Sequence, residues 1–201
     1  MEKNKIEVVK YGDFIMSANI MKSSDCNTII DFIETNKENF PLVDYNFSVS
    51  MESHTNLFNK NTENCDKVNS ILSDTVSKSI QTFIVENCPN SSLSFSPSTI
   101  KNNGFFLRKI VGETTEHNDG IHIETITGSS DYIKHSVGVI VMSLKDTGDF
   151  LEFPDYNISV PLGEGSVVFF PPYWTHNHKS KWSGSESYRA QTHLKNTFKL
   201  K

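Results

Sequence analysis

Cysteine is scarce: Cys26, Cys65 and Cys88 stand far apart in 201 residues, with no CxxC pair among them. That spacing excludes a disulfide framework and a zinc ribbon and leaves three plain thiols. No run approaches the eighteen apolar residues that a membrane-spanning helix needs, so no membrane partner is expected. The opening MEKNKIEVVKYGDF lacks the apolar core of a signal peptide, which points to a cytoplasmic chain. Positive charge is thin as well. Nineteen Lys and Arg against 24 Asp and Glu leave a net charge of -5, and the basic residues are scattered rather than striped. Nucleic acid is therefore not an expected partner. Repeats, low-complexity tracts and an interdomain linker are missing too, so the chain reads as one domain over 1–201.

What is present is ordinary globular composition, with 36% hydrophobic and 21% charged residues. That is enough to bury a core without covalent staples. Residues 6–9 read as a short strand. Asp25 stands as an N-cap ahead of CNTIIDFIETNKENF, in which Ile29, Ile30, Phe32 and Ile33 make one apolar face and after which Pro41 ends the segment. Val68, Ile71, Leu72, Val76, Ile80, Phe83 and Ile84 recur at three- and four-residue steps and predict a second helix over about 62–86. Past the CPNSS break at 88–92 the pattern changes to short β-rich runs at 105–111, 122–127, 136–144, 150–154, 158–160, 166–170 and 188–194. The expectation is α+β: helical support over about 1–90, then an antiparallel jelly roll of the cupin type over about 91–201.

The residues that carry chemistry lie in that second part. His117-Asn118-Asp119 sets an imidazole and a carboxylate two positions apart, which in an extended segment puts both on one face. A third ligand must come from elsewhere, and His176, after the apolar run SVVFF and the turn PPYWT, is the candidate. Two histidines and one carboxylate on one face of an octahedron leave the remaining positions open, the arrangement of non-haem iron(II) oxygenases. Two alternatives compete: His122 with Glu124 repeats the spacing, and His178 follows His176 by two residues. His54 and His135 have no partner visible in the sequence, and His193 reads as a satisfied residue of the last strand. Around the pair, GDFLEFP at 148–154 and GEGSVVFFP at 163–171 come in order before His176, and Arg189 follows on the last strand.

In that order, the segment 105–194 resembles the catalytic core of the iron(II)/2-oxoglutarate-dependent dioxygenases, in their prolyl-4-hydroxylase-like branch. The small size would suit a phage or bacterial member. The resemblance implies a double-stranded β-helix, iron(II) held by an HxD…H set (here His117, Asp119 and His176), and 2-oxoglutarate converted with O2 to succinate and CO2. Ascorbate is among the implied accessory reagents. It favours His117/Asp119 over His122/Glu124 through the Gly120 that follows, and His176 over His178 through the interval from Phe170. A basic residue on the strand after the distal histidine grips the far carboxylate of 2-oxoglutarate in that family, and Arg189 is its counterpart. The planar fork of an arginine suits this role. The order Ser187-Tyr188-Arg189 departs from the family habit of placing the basic residue directly before the aromatic. Gln191, on the same face, and Arg108 are further cosubstrate candidates, with Lys195 as a fallback anchor. Tyr173 and Trp174 would pack around the distal histidine. The implied substrate is a prolyl or peptidyl side chain or a small molecule, selected by mouth loops that include 125–134. Two other readings stay open: a non-catalytic jelly-roll binding module, and a cupin-type metalloprotein that does not use 2-oxoglutarate.

Overall fold

The computed structural model describes residues 6–12, 14–45, 48–55, 64–87, 100–119, 123–125, 132–173 and 175–199. Among the described residues, thirteen strands and two α-helices carry the fold. The strands are β1 (Val9–Gly12), β2 (Ile15–Asn19), β3 (Leu42–Asp44), β4 (Ser48–His54), β5 (Ile100–Asn102), β6 (Phe106–Gly112), β7 (Ile123–Thr125), β8 (Tyr132–Ser143), β9 (Phe150–Phe153), β10 (Ile158–Pro161), β11 (Ser166–Phe170), β12 (Lys179–Lys181) and β13 (Ser187–Lys199). The large sheet runs β1-β2-β11-β8-β13-β6-β4-β3, with β5 added to β13 and β7 to β8; a smaller sheet runs β10-β9-β12. The described strand pairs are antiparallel. The two sheets face one another as a jelly roll.

Alternation along the strands gives the large sheet two faces with different tasks. On one face Met16, Ala18, Leu107, Ile140, Met142, Val167, Phe169 and Ala190 pack against helix α1 (Ser23–Thr35) and helix α2 (Cys65–Ser79). These helices contribute Ile29, Phe32, Ile33, Val68, Leu72 and Val76 to the same core. The α2 segment continues through a π-helical turn over Ile80–Val85, whose Phe83 is fully buried and stacks on Phe169. Gly138 leaves room for Phe169, because a Cβ there would lie 2.4 Å from the ring. On the other face Ile15, Val139, Val141, Val168 and Phe170 meet Leu151, Phe153, Val160 and Leu162 of the small sheet and its edge.

The first half is not helical support alone, because β1 to β4 all join the large sheet. The expected strand at 6–9 starts later, and β2 was not foreseen. Strand β4 escapes a hydrophobic pattern because its inward residues are Ser48, Ser50 and Glu52, all buried. Helix α1 begins at Ser23, so Asp25 lies in its first turn rather than capping it, where a carboxylate still faces the positive end of the helix dipole. β8 and β13 run longer than predicted, whereas β3, β5 and β12 are three residues each and carry no usable period. No described helix is long and apolar enough to cross a membrane.

Candidate metal centre

The ligand pair and the distal histidine are joined by backbone. His117 and His178 form an antiparallel bridge in which each N–H donates to the other's carbonyl, at 3.0 and 2.8 Å. Asn118 Nδ2 donates to Asn177 Oδ1 at 3.1 Å one step further on. Directly opposed residues of such a pair share a face, and the two imidazoles lie 4.5 Å apart. Asp119, two residues from His117, brings its carboxylate alongside. The outcome is one group, His117, Asp119 and His178, whose ligand atoms lie within 4.8 Å of one another.

The ring nitrogens are sorted by what they touch. His117 Nδ1 sits 2.7 Å from the Thr115 carbonyl and His178 Nδ1 sits 3.1 Å from the His176 carbonyl. A carbonyl only accepts, so both rings carry their proton on Nδ1 and leave the Nε2 lone pair for an ion. His178 Nε2 is 3.7 Å from Asp119 Oδ2, too long for a hydrogen bond and about the span of two metal–ligand bonds of roughly 2.0–2.2 Å. Asp119 Oδ2 is buried with no hydrogen-bond partner among the described residues. An orphaned buried carboxylate oxygen facing two imidazole lone pairs fits a divalent cation. Burial pushes the His178 imidazole down to about 4, against the pull of Asp119 and with a further push from His117. The ring is therefore neutral at neutral pH, as a ligand must be. Phe170 and Phe153 wall it in at 4.6 and 5.9 Å between ring centroids.

His178 thus stands where His176 was expected. The reason is the turn: the His176 N–H bonds back to the Tyr173 carbonyl at 2.8 Å, its Nδ1 meets Thr175 Oγ1 at 2.8 Å, and its ring lies tilted beside Tyr156 at 5.3 Å between centroids. Only after this turn does the chain become extended, and His178 is its bridging residue before β12. The Tyr173 hydroxyl donates to the Ser136 carbonyl. Gly120, His122, Trp174 and residues 126–131 of the expected substrate loop lie outside the described residues.

The cosubstrate candidates lie on the same interior face. β13 is in register with β6 so that Arg189 opposes Arg108, and β6 is in register with β4 so that Arg108 opposes Glu52. These two are the only arginines in the sequence. Each carries a carboxylate partner. Arg108 meets Glu52 at 3.2 Å and donates to Gln191 Oε1 at 3.1 Å, while Gln191 Nε2 reaches Asp119 Oδ1 at 3.5 Å. Arg189 donates to Asp149 Oδ2 at 2.8 Å and to Ser180 Oγ. Burial raises the Asp149 carboxyl, but the Ser183 backbone N–H and the Arg189 guanidinium outweigh it and hold the group below its usual range. Arg189 Nε has no hydrogen-bond partner among the described residues. Sequence reasoning missed Asp149, which was visible only as part of the GDFLEFP run, and missed Glu52 altogether. His193 also faces the site, with Nε2 3.9 Å from Asp119 Oδ1. Lys195 lies past the register irregularity at Leu194/Lys195.

No family model matches the chain, and no curated protein matches it. Solved structures do. The fold is similar to the viral collagen prolyl hydroxylase of Paramecium Bursaria Chlorella virus-1 in its 2OG complex, with a TM-score of 0.60, 11% identity, and 92% of this chain and 97% of that one covered. It is similar to a Pseudomonas putida prolyl-4-hydroxylase, with a TM-score of 0.55, 10% identity, and coverage of 90% and 92%. It is also similar to SnoN, a non-heme alpha ketoglutarate dependent epimerase of nogalamycin biosynthesis, with a TM-score of 0.62, 7% identity, and coverage of 94% and 81%. What is shared at such identities is the fold, the jelly roll of prolyl hydroxylases and other 2-oxoglutarate-dependent oxygenases, in agreement with the resemblance read from the sequence.

Proposed function

We propose that this chain is a non-haem iron(II) and 2-oxoglutarate-dependent dioxygenase with His117, Asp119 and His178 as its metal ligands. The observation that carries the reading is the pair of imidazoles whose Nδ1 protons are committed to backbone carbonyls while both Nε2 atoms face a buried, unpartnered carboxylate oxygen. Bound iron(II) would supply the activation of O2 coupled to conversion of 2-oxoglutarate to succinate and CO2. The protein's own part is to hold three ligands on one side and leave the other side open. Arg189, with a spare buried Nε–H, receives the distal carboxylate of the cosubstrate. Gln191 steadies Asp119 and is itself held by Arg108. The Phe153 and Phe170 walls keep water from the reacting centre. The substrate is a peptidyl prolyl side chain or a small molecule hydroxylated at a C–H bond. One structural neighbour is named a collagen prolyl hydroxylase and another an epimerase of nogalamycin biosynthesis, so the fold accepts both classes.

The test is an anaerobic titration with iron(II) and 2-oxoglutarate, followed by the weak visible charge-transfer absorption of the chelate and then by O2-dependent succinate release. Wild type and a His176→Ala variant should give both signals, and His178→Ala neither. Loss in His176→Ala with retention in His178→Ala would overturn the ligand set, and no signal in folded wild type would overturn the function.

A further inference from the structure

The buried ion pair between Arg189 and Asp149 is not needed to hold the metal ligands, and it bears directly on the cosubstrate. Asp149 is 1% exposed and Arg189 5%. Asp149 cannot easily swing away: Oδ1 accepts the Ser183 N–H at 2.9 Å, and its own carbonyl accepts the Leu162 N–H at 2.9 Å. The charge of the anchor is therefore matched from within by a fixed carboxylate. Its hydrogen-bonding capacity is not used up, because Arg189 Nε is buried and unpartnered. Ser187 Oγ, two residues along the same face, and Ser50 Oγ, across Ile110 in the same row, are likewise buried without hydrogen-bond partners among the described residues. Buried donors left open in this way favour an incoming acceptor. Beyond Arg189, Arg108 is paired with Glu52 in the same manner, so it adds no uncompensated positive charge.

We propose that Asp149 sets the cosubstrate preference: by occupying Arg189 it leaves a pocket that hydrogen-bonds the tail of a 2-oxo acid but exerts little net pull on a second carboxylate. This rests on the reading of the site as an iron(II)/2-oxo-acid centre. The pocket consequently distinguishes poorly between 2-oxoglutarate and a 2-oxo acid of the same length whose tail is uncharged but still offers a carbonyl acceptor. Removing the Asp149 charge exposes an uncompensated guanidinium, which the distal carboxylate of 2-oxoglutarate then satisfies. Asn retains the acceptor oxygen for Ser183, so Asp149→Asn is the conservative variant.

The experiment is calorimetric titration of manganese(II)-loaded protein with 2-oxoglutarate and with its 5-monomethyl ester, whose tail keeps a carbonyl acceptor but carries no charge. Wild type should prefer 2-oxoglutarate to the ester by no more than about tenfold, and Asp149→Asn should bind 2-oxoglutarate on the order of tenfold or more tighter, with the ester unchanged. If the variant does not fold, the wild-type ratio alone decides: a preference of about a thousandfold for the dicarboxylate would sink the proposal, given a fully neutralised anchor. Equal or weaker binding of 2-oxoglutarate by Asp149→Asn, with tight binding by wild type, would overturn this inference and leave the cosubstrate reading standing. Binding of neither acid by either metal-loaded protein would overturn both.

Discussion

One face of the large sheet is divided. Toward β2, β11 and β8 it presents Ile15, Val168, Phe170, Val139 and Val141, which meet the apolar side chains of the small sheet. Toward β13, β6 and β4 it presents Arg189, Gln191, Arg108, Glu52 and Ser50, all on the same side and mostly buried. The first half stabilises by removing apolar surface from water. The second half places two guanidinium groups in opposed positions and matches each with a carboxylate, an arrangement whose desolvation cost rivals its attraction. Stability does not account for that half; the cosubstrate site proposed above would.

The contrast can be broken most forcefully on the apolar side. Phe170→Ala should lower stability by about 3–5 kcal/mol through lost burial and the cavity left against Phe153 and His178, read as a drop in denaturation midpoint with an unchanged denaturant slope. On the polar side, Arg189→Leu alone should cost roughly 3–5 kcal/mol because it strands the Asp149 charge, whereas Arg189→Leu with Asp149→Leu should return most of that loss. A double variant as unstable as the single one would mean that the ion pair is a net source of stability and that the two halves are alike. The smallest effect is expected at the solvent-reached rim of the helix-covered face. There Glu34 is held down to about 2 by Lys37 first, then by the Tyr188 hydroxyl, with burial opposing and Lys109 adding to the effect. Because the folded value lies below the ordinary 4.5, this stabilisation is complete above the unfolded value and is lost as pH falls through the folded one. Glu34→Gln should therefore cost under about 1 kcal/mol at neutral pH, with the difference from wild type shrinking between pH 4.5 and 2. A constant difference across that range would assign the effect to packing instead.

The same division explains what could be read from the sequence. Strands β8, β9, β11 and β13 were legible because apolar residues alternate or run together in them, and the HxD pair was legible because its spacing works in any extended segment. β4 was not, since a strand that lines a site turns serine and glutamate inward and defeats a hydrophobic period. His178 was hidden by the turn: both histidines stand two apart, and only the Tyr173–His176 hydrogen bond decides which of them begins the extended run. Asp149 and Arg189 meet across forty residues of chain, a pairing that charge in the sequence suggests no more than many others.

Strand β13 carries Tyr188, Ala190 and Leu194 into the helix-covered core and Arg189, Gln191 and His193 toward the site, by strict alternation. The register irregularity at Leu194/Lys195 falls only after the last of these. Core and site are thus tied to one count of residues along a single stretch of chain. Evolution can exchange side chains there one at a time, but an insertion or deletion of one residue between 188 and 193 would send the arginine under the helices and the tyrosine into the site. Descendants of this gene are accordingly expected to vary in length at their loops while β13 stays free of gaps.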